Sequence, residues 1–371
     1  MQFTANVQDL LDALNTVTRA LAARPAKAIL ESVLLTVLDD SVVLTCSDGS
    51  LTIESTIVAE VKEMGQAALA GKLFTEMIRK QEGGSVTVTC EHGRPATIVC
   101  GKCKSSMTSM NSMEYPEMQE INASLQVQIQ QNRLRDMISR VVFAIANDET
   151  RQILTGCLLE VTRDEARIVA LDGYRLAMQK LFQPFQLPEG TEKLRAVVPG
   201  RVMNELSKIL PEDETFCTLS FDKNRMQVAF GNTKFSTVLL AGEFIDYQKI
   251  LPAAFKTQAK AKRLDVYNAI DRASLMAREG KNNLIRMSFE QDRLTISSNA
   301  EMGAVNEEVA CTLVGDPIEI AFNAKYLVDV IRNITDDELC MKFNSNVSPC
   351  VFVPEEGEQF VYLILPVRIF Q

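Results

Sequence analysis

The residues with the most chemical potential in this 371-residue chain are few. Cys90, His92, Cys100 and Cys103 suggest zinc, with Cys100-Gly-Lys-Cys103 as a C-x-x-C pair. The spacing argues against it. Glu91-His-Gly-Arg-Pro95 has the composition of a turn between two strand-like runs. Cys100 then lies about four residues down a return strand, roughly 13 Å from the turn at ~3.3 Å per residue. As a redox pair, the same motif lacks the following helix N-terminus that lowers a thiol pKa. Gly65-Gln-Ala-Ala-Leu-Ala-Gly71-Lys72-Leu73 approaches a nucleotide-binding loop. It has one residue too many between the glycines, and leucine where the Mg²⁺-binding hydroxyl belongs. His92 is the sole histidine, which removes catalytic triads and two-histidine metal helices. The 48 carboxylates form no acid/base pair legible from spacing, and no nucleophile elbow or dinucleotide fingerprint is present. Neither catalysis, metal nor cofactor has positive support.

One repeated pattern remains. Lys72 and Arg79, Arg133 and Arg140, Arg201 and Lys208, and Lys325 and Arg332 are each seven apart, so each pair shares one helix face. Any single pair is an ordinary solvated surface; three on the second helices of the repeats and one on the middle repeat's first helix suggest a common task. Two further helices break the pattern with Asp12/Arg19 and Asp265/Arg272. The net charge of −9 opposes simple electrostatic adhesion to nucleic acid. A DNA role would need local positive charge, or a duplex held by topology and touched only at its phosphates.

The elements that carry these residues repeat as well. Val7 to Leu21, Arg133 to Ile145 and, more weakly, Arg263 to Ala277 (through Leu264, Tyr267, Ile270 and Leu275) have helical apolar spacing. Second helices are expected over Lys72 to Lys80, Arg201 to Leu210 and Lys325 to Ile334, their first basic residues 129 and 124 positions apart. Strands follow each, at Ser85 to Cys90, Thr215 to Phe221 and Glu338 to Phe343. Cys157 to Val161 and Ile168 to Ala170 read as a hairpin, followed by a tight turn at Asp172-Gly173; Asp48-Gly49 repeats that turn 124 positions earlier. The expectation is an α+β chain of three similar domains, 1–123, 124–252 and 253–371, each with two helices backed by antiparallel sheet.

Composition agrees with a globular chain: 46% hydrophobic, 23% charged. No run approaches the ~20 apolar residues of a membrane helix. Nine cysteines, odd in number and without framework spacing, point with the absence of a leader-like N-terminus to reduced thiols in cytoplasm.

Arg151 to Gly156 followed by a strand and Asp-Gly-Tyr-Arg-Leu-Ala177, together with Tyr362-Leu-Ile-Leu-Pro-Val-Arg368, resembles the bacterial sliding clamps, the β subunit of the replicative DNA polymerase III. The resemblance spans the chain. It implies clamp-type domains, a head-to-tail homodimeric ring around duplex DNA, no enzymatic activity, and a groove for short motifs rich in Gln and Leu/Phe. Those motifs belong to the replicative polymerase's catalytic subunit, the clamp loader and other clamp-binding proteins.

By the same resemblance the groove residues are Leu154, Gly173, Tyr174, Arg175, Leu176, Ile245, Lys249, Ile250, Asn323, Tyr326, Val347, Pro349, Leu363, Leu365, Pro366, Val367 and Arg368. Burying one Leu or Phe anchor there contributes ~1.5–3 kcal/mol, which suits exchangeable partners. The family's Phe-Pro-Asp-Tyr segment is Phe244-Ile245-Asp246-Tyr247 here. Arg24 and Arg151 match DNA-contacting positions, beside the basic pairs Lys72/Arg79, Arg133/Arg140, Arg201/Lys208 and Lys325/Arg332. The ring joint would set Lys72, Lys102 and Lys104 against Glu301, Glu307 and Glu308, with Leu275 and Met276 as apolar contacts. The rival readings are a repeat-built protein-interaction scaffold that never surrounds DNA, and a zinc or nucleotide enzyme.

Overall fold

The structure, a computed structural model, describes residues 1–22, 27–91, 94–116, 121–280 and 283–368. Arg24 and His92 lie outside the described residues. Six α-helices occur among these residues: α1 (Val7–Val17), α2 (Gly71–Arg79), α3 (Gln131–Ser139), α4 (Gly200–Ile209), α5 (Arg263–Glu279) and α6 (Ala324–Arg332). Each begins where a strand ends: Gln2–Asn6, Gly65–Ala70, Leu125–Gln130, Leu194–Pro199, Thr257–Lys262 and Ile318–Asn323. The abrupt start is built locally. Asn6 caps α1 by accepting from the backbone N–H of Gln8 and Asp9, and Asn323 caps α6 by accepting from Lys325 N at 3.0 Å.

Two helical expectations need correction. The α3 helix ends at Ser139 rather than Ile145. Val141 leaves helical geometry (φ −122°), and Val142–Ala144 continues only as a 3₁₀ turn, since consecutive β-branched residues crowd the preceding turn. In α5 the buried stripe is Val266, Ala269, Ile270, Ala273, Ser274 and Ala277, whereas Leu264 and Leu275 point to solvent. The large residues suggested a different face. Small side chains win because they let α5 lie close against strands Arg293–Ala300 and Gly303–Val314.

Backbone pairing gathers the chain into two compact units, 1–135 with 205–239, and 136–204 with 240–371. The first holds a five-stranded and a nine-stranded sheet, the second a twelve-stranded sheet. These units cut across the sequence repeat because two strand pairs bridge it. Leu51–Val58 pairs antiparallel with Thr233–Val238, so the first repeat shares a sheet with the second half of the middle one. Arg175–Phe182 pairs with Phe360–Ile364, which joins the first half of the middle repeat to the last.

The expected hairpin is present, with Leu158 opposite Val169 and Val161 opposite Ala166. Strand Leu51–Val58 alternates buried and half-buried residues, as a sheet with one covered face requires. Strand Gly156–Val161 is buried at every residue and carries a continuous apolar run interrupted only by Glu160. All nine cysteines are free thiols; Cys103 alone is exposed. Burial pushes the Cys157 and Cys217 thiols up to about 12.

Candidate functional site

The turn at Asp172-Gly173 organises the site. Gly173 takes φ +93°, open to glycine and costly for other residues, and Gly49 repeats it at φ +95°. The Asp172 carboxylate accepts from Tyr174 N at 2.9 Å and Arg175 N at 3.0 Å. Asp48 does the same for Ser50 and Leu51. Leaving the turn, Tyr174 points outward, 61% exposed, and Arg175 points inward, 6% exposed.

Arg175, a groove residue by the resemblance, has a buried side chain. Its Nε donates to Asp172 Oδ2 at 3.0 Å, Nη1 to Asp329 Oδ2 at 2.5 Å, and Nη2 to the Phe143 carbonyl at 2.5 Å. The guanidinium lies 4.7 Å from the Tyr326 ring centroid and 5.3 Å from that of Phe143. Tyr326 in turn stacks on Tyr174, 6.0 Å between centroids and 23° between planes. Burial, with the Asp172 carboxylate nearby, pushes the Tyr326 phenol up, so its ring stays neutral. One buried arginine thus ties the middle repeat (Phe143, Asp172) to the last (Tyr326, Asp329).

The floor beside this cluster is apolar. Leu154, Leu176 and Leu363 are buried with Leu158, Val169, Leu171, Phe244, Tyr247 and Val351, and Ile153, Ile245 and Leu251 pack against them. The predicted groove leucines Leu154, Leu176 and Leu363 are therefore part of the core.

The rim is exposed. Ile250 and Val347 are 37% and 62% exposed, Leu365 is 36% exposed, and Ile245 and Pro349 are half-buried. Lys249, fully solvated, pairs with Asp246 at 2.9 Å. The C-terminal wall is pinned by two backbone bonds, Leu365 N to Tyr174 O and Val367 N to Ala321 O, both 2.8 Å. These hold Pro366 and Val367 half-buried and leave Arg368 exposed. Asn323 caps α6 through its side-chain oxygen. The segments leave Ile250, Val347 and Leu365 exposed in the same unit as the Tyr174–Tyr326 stack.

The basic pairs split by position along their helices. Lys72, Arg133 and Lys325, in first turns, are exposed. Arg201, also in a first turn, lies with Lys325, Asp329, Arg175, Gln152 and Asn147 around a polar cavity of about 970 Å³. The second members are all tethered. Arg79 pairs with Glu76 and donates to Asn15 Oδ1 at 2.8 Å; Arg140 lies 3.6 Å from Asp136 and 3.3 Å from Thr335 Oγ1. Lys208 pairs with Glu205 at 2.7 Å, and Arg332 donates to the Tyr267 hydroxyl at 2.9 Å. Burial pushes the Glu205 carboxyl up, but Lys208 and Arg19 outweigh it and hold it below the usual carboxylate range. Arg151 is exposed, at the kink between two 3₁₀ turns (φ −121°, ψ 72°).

Of the remaining predicted residues, Lys102 and Lys104 are exposed around strand Cys103–Met107, the last strand of its sheet. Leu275, 63% exposed, sits on α5 beside half-buried Met276. Glu301 and Glu308 are exposed, with Arg293 3.5 Å from Glu308; Glu307 is held by Arg272 through two bonds of 2.7 and 2.8 Å. The sequence reading missed the buried Glu160 and its partners Lys193, Arg195 and Tyr247. The available signal was a lone carboxylate inside an apolar strand run.

Three tandem strand–helix repeats fused through shared sheets define a clamp-type chain, and the comparisons with known proteins agree. Models of the DNA polymerase III beta subunit match in order: N-terminal domain over 1–119, central domain over 128–246, C-terminal domain over 248–368. The Beta sliding clamp of Staphylococcus epidermidis is 30% identical over 380 residues, covering 100% of both chains. The crystal structure of the DNA polymerase sliding clamp from Bacillus subtilis superposes with a TM-score of 0.95 at 30% identity, again over 100% of both. The Pseudomonas aeruginosa sliding clamp bound to griselimycin gives 0.93 at 25% identity, with 100% coverage of both. The chain belongs to the DNA polymerase III beta-subunit family, and its function is that of a sliding clamp, a processivity factor for DNA polymerase. No helix among the described residues is long and apolar enough to cross a membrane.

Proposed function

We propose that two copies of this chain join head to tail into a ring that encircles duplex DNA in the cytoplasm, without catalysis. Its domains are 1–123, 124–252 and 253–371. The Tyr174–Leu365 strip takes short apolar motifs from the polymerase, the clamp loader and other partners. The observation that carries the reading is the repeated placement of Lys72, Arg201 and Lys325 in the first turns of α2, α4 and α6, in a chain of net charge −9. There a side-chain cation adds to the positive end of the helix dipole, an arrangement suited to phosphate. Contact is then weak and without base readout, so retention must come from closure.

Two strand edges support the joint. Cys103–Met107 pairs on one side with Ala96–Cys100, and residues 303–310 pair on one side with Arg293–Ala300. Exposed edges are templates for pairing with another chain. Lys102 and Lys104 flank one edge, Glu301 and Glu308 the other, with Leu275 and Met276 as the apolar part.

The test is loading onto nicked circular plasmid with a bacterial clamp loader and ATP, followed by a single cut. Release on linearisation with retention on uncut circles is expected. Equal retention on both forms would mean ordinary binding and would leave the strip as a plain interaction site. In a salt titration on linear duplex, the triple change Lys72→Ala, Arg201→Ala, Lys325→Ala is expected to lower the slope of log K against log salt by about 2–3, roughly 0.9 per lost phosphate contact. An unchanged slope would remove these helix ends from the DNA-facing surface.

A further inference from the structure

Glu160 is 2% exposed, and its two oxygens hold different groups. Oε2 accepts from the Tyr247 hydroxyl at 2.5 Å; Oε1 lies 2.5 Å from Lys193 Nζ and 3.2 Å from Arg195 Nε. Arg167 Nη1 donates to the same Tyr247 oxygen at 3.3 Å and pairs through Nη2 with Glu165. A polar cavity of about 140 Å³ adjoins the network, lined by Glu160, Glu165, Arg167, Lys193 and Gln248. A buried carboxylate is costly unless paired, and an apolar residue would serve the core of this strand as well or better. The network is therefore explained best by what it holds.

It holds the segment Phe244–Ile250. Phe244 and Tyr247 are sunk into the apolar floor, while Lys249 and Ile250 stay exposed. The 3₁₀ turn's bonds are local: Lys249 N to Asp246 O at 3.3 Å and Ile250 N to Tyr247 O at 3.0 Å. No proline stiffens Phe244-Ile245-Asp246-Tyr247. The two sunken rings fix the segment, and only the Tyr247 ring carries a directional bond.

We propose that Glu160, acting through the Tyr247 hydroxyl, is a positioning residue that sets Ile245 and Ile250 at the height where they close on the apolar side chain of a bound peptide. This rests on the peptide-groove reading above and adds the residue pair that tunes its affinity. Burial and the Glu160 bond push the Tyr247 phenol up, so it remains a neutral donor across the physiological range.

The test uses the full chain and a synthetic peptide bearing one glutamine and a Leu-Phe pair. Tyr247→Phe removes one oxygen and keeps the ring. It is expected to weaken the peptide about tenfold, as loss of part of a hydrogen bond to a carboxylate. Amide exchange should speed up at residues 246–250, with little change elsewhere. Glu160→Gln, which keeps an acceptor for Tyr247, is expected to bind within about threefold of the unsubstituted chain, and Glu160→Ala to resemble Tyr247→Phe. Undiminished affinity in Tyr247→Phe overturns the proposal. So does weakened binding with exchange raised throughout the unit, which would mark a general stability role. If the unsubstituted chain and a Leu365→Glu control fail alike to bind the peptide, the groove reading itself falls, and this inference with it.

Discussion

Replacing Arg175 with alanine is expected to destabilise the unit formed by residues 136–204 and 240–371 by about 3–5 kcal/mol, the usual cost of removing one partner from a buried ion pair. Three terms act in the same direction. Asp172 and Asp329, 13% and 24% exposed, lose their shared cation. The Phe143 carbonyl loses its donor, and the Tyr326 ring loses the guanidinium against its face. Urea unfolding followed by far-UV circular dichroism reads the loss, and hydrogen exchange assigns it to this unit. Asp329→Asn, which keeps a hydrogen-bond acceptor, should cost less. A loss below about 1 kcal/mol for Arg175→Ala would mean that water in the adjoining polar cavity solvates both carboxylates.

The second large effect is expected at Leu275. It is 63% exposed on α5, so Leu275→Glu should leave the thermal midpoint of the isolated chain nearly unchanged. In a closed dimer each of two joints would bury that carboxylate beside Glu301 and Glu308, and the nearby Arg272 and Arg293 are already engaged by Glu307, Glu308 and Glu290. A buried, poorly paired charge costs several kcal/mol, and a head-to-tail ring incurs it twice. Sedimentation at micromolar concentration should therefore show monomer, and retention on circular plasmid should be lost. A variant that stays dimeric would move the joint away from α5, and the pairing of Lys102 and Lys104 with the glutamates would be abandoned.

Much of the fold was legible because its signals are local. Helical spacing, a basic residue at each second helix and strand alternation recur at a near-constant interval, and the Asp-Gly turn recurs in the first two repeats, so each repeat supports the reading of the next. The failures were also local in cause. Large apolar residues outranked alanines in α5, and β-branching at Val141 and Val142 was not weighed against the apolar period that ran through it. Residue identity does not give the depth of each side chain in the segments assigned to the groove. Tyr174 and Arg175 are neighbours, and strand geometry sends them to opposite sides.

Repeat number, element order and free thiols follow from residue types and their spacing, which act over a few turns of chain. Which repeats share a sheet, that Arg175 is a buried tie between repeats, that Arg79, Arg140, Lys208 and Arg332 are tethered while Lys72 and Lys325 are exposed, and that Glu160 reaches Tyr247 were settled only in three dimensions. The shared sheets, the Arg175 tie and the Glu160–Tyr247 bond depend on partners dozens to more than a hundred residues away, whereas Arg79, Arg140 and Lys208 also meet carboxylates three or four residues off. Burial and the long-range pairs are set by those partners, and no local pattern encodes them.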